Sequence, residues 1–128
     1  MSYYISKKLN CSFDQGIERV KKELSVEGFG VVSEIDLQEK LKDKLGVDFR
    51  KYRIIGACNP SFAYEALLKE DKIGTMLPCN VIVQEISTHE IEIAAIDPVV
   101  SMQGVENMEL GGLGLQVKKK LEKVIDNL

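Results

Sequence analysis

The chain predicts an α+β fold in which helices cover one face of a mostly antiparallel sheet. Three observations carry that prediction. Apolar residues alternate along Glu90–Ile96 but recur at helical spacing along Phe13–Leu24, so both structural periods are present. Val81–Ile86 and Glu90–Ile96 are joined by Ser87-Thr88-His89 alone, a polar connection of hairpin length. The predicted order is strand, helix, strand, short helix, strand, helix, strand, strand, helix. It contains few crossover units, which favours antiparallel pairing.

Tyr3-Tyr4-Ile5-Ser6 is the first predicted strand, because aromatic and β-branched residues suit a pleated surface. Ser12 opens the first helix, with Gln15 placed to complete a capping box. Phe13, Ile17, Val20 and Leu24 give this helix one apolar face, and Gly28 is its stop. Phe29–Ile35 is the second strand. Asp36 and Glu39 form another cap pair, followed by leucines at 37, 41 and 45 and a stop at Gly46. The charges of this short helix are read as a solvated face.

Tyr52–Cys58 is the third strand and leads into Asn59-Pro60, a cap residue followed by a residue suited to the first helical position. A helix over Pro60–Glu70 follows, with Phe62, Ala63, Ala66 and Leu67 as its packed side and Gly74 as a stop. Thr75–Pro78 returns the chain in extended form, since a residue before proline avoids helical geometry. In the closing hairpin, Ile91, Ile93 and Ala95 share one face, opposite Glu90 and Glu92. Val81 and Val83 alternate with Ile82, Gln84 and Ile86. Asp97-Pro98 ends the last strand. Val99–Gly114, with four glycines and two methionines, is expected to be a loop with one helical turn, either a lid or partner surface or a plain connection. The last helix is predicted from Leu115 to Asn127, with Val117, Leu121, Val124 and Ile125 as its stripe.

The 128 residues suit one domain, 1–128, that needs neither metal nor disulfide to fold. A hydrophobic content of 45% with 29% charged residues is an ordinary globular balance. The formal charge of −3 argues against nucleic acid or an anionic membrane as partner. Three cysteines cannot close a complete disulfide set, so reduced thiols in the cytoplasm are expected. No apolar run reaches signal-peptide or membrane-span length. No cofactor fingerprint is present: there is no phosphate loop, and Gly111-Gly112-Leu113-Gly114 lacks a preceding strand.

The central stretch, YRIIGACNPSFAYEALLKEDKIGTMLPCNVIVQE, resembles the family known as domain of unknown function 302. The motifs that carry the resemblance are Cys58-Asn59-Pro60, Gly74 with Leu77-Pro78-Cys79-Asn80, and Asp97-Pro98. The resemblance implies a curved antiparallel sheet packed by two main helices, in the order β-α-β4-α, with the extra short helices as insertions. It implies no activity.

One candidate site for a ligand or a thiol reaction emerges: Cys58, Asn59, Pro60, Pro78, Cys79 and Asn80. If the third and fourth strands are antiparallel neighbours, Cys58 and Cys79 meet, flanked by the two asparagines and faced by a helix N-terminus. Such a terminus can lower a thiol pKa. Lys72 and Arg53 are the cations nearest in sequence. Plain packing and turn chemistry account for the same residues, since free cysteine behaves as a small buried apolar group. A zinc site with the single His89 is not expected, because a six-residue strand of roughly 20 Å separates that turn from Cys79. Glu85, Glu90, Glu92 and Asp97 are read as solvated outer positions rather than a catalytic pair. The favoured reading is a non-catalytic module that binds a small molecule or assembles as a homodimer through a sheet face left uncovered. The alternative is a thiol-dependent redox or ligand-handling protein using Cys58 and Cys79.

Overall fold

A computed structural model describes residues 2–128. Its element order is β1 (Tyr4–Leu9), α1 (Phe13–Val26), β2 (Gly30–Asp36), α2 (Leu37–Leu45), β3 (Tyr52–Cys58), α3 (Pro60–Lys69), β4 (Cys79–Ser87), β5 (Glu90–Ile96), α4 (Pro98–Ser101) and α5 (Gly111–Asp126). Single 3₁₀ segments at Asp71–Met76 and Met108–Leu110 complete the path. The strands form one open sheet in the order β1-β5-β4-β3-β2, and every neighbouring pair is antiparallel. With α2, α3 and α4 as insertions, this is the β-α-β4-α arrangement that the resemblance implied.

Helix α1 starts where its cap dictates. Ser12 accepts from the Gln15 amide at 3.2 Å, and the Gln15 side chain accepts from the Ser12 amide at 3.1 Å. Its apolar stripe, Phe13, Ile17, Val20 and Leu24, is buried against the sheet. Gly16 lies on the same side, and a Cβ there would collide with Ile91 Cδ1. Its missing side chain lets α1 come down onto β5. Helix α5 lies beside α1 and buries Leu121, Val124 and Ile125. Beneath these two helices lie Val81, Val83, Ile91, Ile93 and Ala95, all fully buried. The alternation in β4 and β5 therefore points its predicted inner set at the helices. A second, smaller core joins Ala66, Ile73, Leu110 and Leu113 under α3.

Two polar anchors tie α5 to the sheet. Asp97 is buried; its Oδ1 accepts from the Val99 amide at 2.9 Å, and its Oδ2 meets Lys118 Nζ at 3.0 Å. The expectation of a solvated Asp97 is thus wrong, because this carboxylate caps α4 and pairs with α5. At the other end, Lys7 Nζ donates to the carbonyls of Asp126 and Leu128, at the negative end of α5.

Several boundaries differ from expectation: β1 runs on to Leu9 rather than ending at Ser6, and larger changes follow further along the chain. Helix α5 begins at Gly111 rather than Leu115, so Gly111, Gly112 and Gly114 are helical and the expected long loop shrinks to residues 102–107 plus a 3₁₀ turn. Burial of Leu110 and Leu113 against α3 outweighs the helix cost of glycine, about 1 kcal/mol per residue. Gly74 ends no helix; α3 stops at Lys69, and Thr75 and Met76 close a 3₁₀ segment, Asp71–Met76, whereas Leu77 before the proline is extended as expected. Leu67, expected on the packed side of α3, is exposed. Helix α2 carries the predicted cap, with Asp36 accepting from the Glu39 amide at 3.0 Å, and ends at Gly46 in left-handed conformation, φ 66°. None of its leucines is buried.

Candidate functional site

The register brings the two cysteine turns together. Ala57 pairs with Cys79 and Gly30 with Cys58, so the end of β3 lies beside the start of β4. Cys58 and Cys79 both line one apolar cavity of about 40 Å³ between the sheet, α3 and α5. Phe29, Phe62, Leu77 and Leu113 supply much of its wall. No disulfide joins the cysteines, and Cys11 belongs to the main core instead.

The six candidate residues do not form one constellation. Cys58, Asn59 and Cys79 line the cavity on the helix-covered side. Pro60 is the exposed first residue of α3. Pro78 and Asn80 lie on the opposite face: Asn80 lines the cleft of the uncovered side, and Pro78 packs over Gly56, where a Cβ would come within 2.7 Å of its Cγ. Side chains alternate across a strand, so Cys79 and Asn80, though consecutive, serve opposite faces.

Asn59 also departs from expectation. It occupies the cap position of α3 but makes no capping hydrogen bond; its Nδ2 instead donates to the Glu27 carbonyl at 3.4 Å, tying α3 to the end of α1. The helix terminus does not activate Cys79. Burial, reinforced by Cys58 close by, pushes that thiol up to about 11. At pH 7 about one Cys79 in ten thousand is then thiolate, and the thiolate is the nucleophile. The two cations nearest in sequence are engaged elsewhere. Lys72 pairs with Asp71, while Arg53 reaches Glu34 at 3.5 Å and Asp36 at 3.8 Å. The hydrogen bond from Lys21, with the charges of Lys21 and Arg53, holds Glu34 below the usual carboxylate range against the cost of its partial burial. This Lys21–Glu34–Arg53–Asp36 network was not anticipated, because its members come from α1, β2 and β3.

The uncovered face is the larger feature. Cross-strand register places Ile35, Ile54, Ile82 and Ala94 in one row across β2, β3, β4 and β5. A parallel row pairs Tyr52 with Gln84 and Glu92. There Gln84 Nε2 donates to Glu92 Oε1 at 2.9 Å, and Arg50 Nε donates to Gln84 Oε1 at 2.9 Å. Tyr3, Tyr4, Tyr52, Asn80, Ile82 and Ala94 are among the residues lining a cleft of about 330 Å³ over these rows. The signal for this face was the contiguous apolar run in two strands, Ile54-Ile55 and Val81-Ile82-Val83. A sheet wetted on one side is expected to alternate apolar with polar residues instead.

Among the described residues, no three His, Cys, Asp or Glu side chains converge as a metal site. His89 is exposed in the β4–β5 turn, distant in register from Cys79. Among the described residues, no helix is long and apolar enough to cross a membrane.

Comparison with known proteins gives a family and a fold. The family model described as "Domain of unknown function DUF302" matches residues 5–128. The chain is similar to the crystal structure of an uncharacterized conserved DUF302 protein from Bacillus stearothermophilus. The two share 26% sequence identity and a TM-score of 0.90 over 98% of each chain. No curated protein matches.

Proposed function

The chain belongs to the DUF302 family, a membership that brings an architecture but no activity, and from its geometry we propose a non-catalytic assembly module. Its uncovered sheet face joins two copies as a homodimer. One observation carries this reading: the row Ile35–Ile54–Ile82–Ala94 lies on the face opposite the one that α1 and α5 cover. Monomers seldom leave a large contiguous apolar surface in water. A single patch that pairs with its own copy gives a closed two-fold dimer, with the polar row of Gln84 and Glu92 beside the apolar one.

The thiol-redox alternative has less support. Cys79 is protonated at neutral pH, and neither Lys72 nor Arg53 stands beside it. Sedimentation of the full chain at two concentrations tests the assembly reading. The expected result is a dimer that dissociates on dilution, and a monomer for Ile82→Lys at every concentration. A wild-type chain that is monomeric throughout overturns it.

A further inference from the structure

Of the chain's three cysteines and four methionines, Cys58, Cys79 and Met102 line the same cavity. They come from the end of β3, the start of β4 and the residue after α4. Met76 and Met108 are exposed, and Cys11 sits in the main core. The walls are otherwise apolar around a volume of about 40 Å³. Asn59 also borders the space, but its amide nitrogen is turned to the Glu27 carbonyl. Cys58 is half-buried.

Such a donor set discriminates among ligands by chemistry. Two thiols and a thioether, with no imidazole or carboxylate, are soft donors, and soft donors select cuprous copper over harder divalent ions. Zinc sites ordinarily use four ligands, and no third Cys, His, Asp or Glu joins this pair among the described residues. The apolar lining suits a soft, weakly hydrated ion better than a strongly hydrated divalent one.

We propose that Cys58, Cys79 and Met102 form a binding site for a soft monovalent metal ion, cuprous copper. The ion binds without changing oxidation state. Each thiol that coordinates breaks its S–H bond, releases the proton to solvent and forms an S–Cu bond in its place. Coordination removes the thiol proton outright even where burial alone holds it on. The buried Cys79 therefore makes affinity rise with pH. The site lies on the helix-covered side of the sheet, and its occupation does not depend on whether the opposite face self-associates.

The test is an oxygen-free titration of the full chain with cuprous ion against a coloured cuprous chelator, read by chelator absorbance and by ultraviolet sulfur-to-metal charge transfer. One ion per chain is expected. Replacing a partner outside the ligand sphere typically costs 10- to 100-fold in affinity, so Cys58→Ala and Cys79→Ala should each lose more than about 100-fold. Met102→Leu, which keeps the volume, should lose about tenfold, and Cys11→Ala should lose nothing. Because Cys79 is buried, circular dichroism accompanies each variant; Cys58→Ala and Met102→Leu carry the test if Cys79→Ala unfolds. Failure of the wild-type chain to withdraw copper from the chelator overturns the proposal. So does retention of the ion with equal affinity in Cys58→Ala and Met102→Leu.

Discussion

The middle of the sheet and its β2–α2 margin use the same residue types with opposite results. In β4 and β5, Val81, Val83, Ile91 and Ile93 are fully buried under α1 and α5. In β2, Val31, Val32 and Ile35 are 41%, 62% and 40% exposed, and the helix that follows buries none of its leucines. Strand composition alone therefore does not set burial; what lies over the strand does. At the margin, the pairing of β2 with β3 and the Lys21–Glu34–Arg53–Asp36 contacts take over part of the role that packing plays at the centre. A register shift between Val31 and Ser33 also interrupts this edge, a device that discourages further strands from adding to it.

The contrast is sharpest in the core. Ile93→Ala should lower unfolding free energy by about 3 kcal/mol, measured by chemical denaturation, because neighbours packed on every side cannot close the void. Cys79 provides the next effect. Its folded-state pKa is raised, from about 9 to about 11, so its contribution to stability is complete below pH 9 and lost as pH rises through 11. At about 1.4 kcal/mol per pKa unit, the wild-type chain should lose about 2–3 kcal/mol over that window through this group. In Cys79→Ala that part of the alkaline loss should vanish. Lys118, held above the usual lysine range by the hydrogen bond and charge of Asp97, adds a loss of the same sign as pH rises through its raised value.

Gly16→Ala should cost up to about 2 kcal/mol, since its new methyl must displace the Cδ1 end of the fully buried Ile91. Ser12→Ala should cost about 1 kcal/mol through the lost capping box. At the margin, Val32→Ser should change the stability of the dilute chain by less than about 0.5 kcal/mol. Equal effects of Ile93→Ala and Val32→Ser would erase the distinction between centre and margin.

Local rules made much of this architecture legible. β5 runs over the residues its alternation marks, Ser12 and Gln15 cap α1 reciprocally, and the stripe of α5 faces the sheet. What remained hidden depended on contacts between distant elements. The helical state of Gly111–Gly114 depends on Leu110 and Leu113 meeting α3. Asn59 abandons its cap because the Glu27 carbonyl is within reach. Adjacency of the Cys-Asn turns was readable from antiparallel pairing, but the division of their residues between two faces follows from the pleat at Cys79 and Asn80. Met102 joins the cavity from a segment with no periodic signal of its own.

The proposed dimer joins two copies through the sheet face opposite α1 and α5. Isoleucine methyl NMR spectra at low and high protein concentration test it most directly, because isoleucines occupy both sides. The account predicts that the methyl signals of Ile35, Ile54 and Ile82 move with concentration while those of Ile17, Ile55, Ile91 and Ile93 stay fixed. Spectra that do not change with concentration, or changes that spare those three residues, would contradict it.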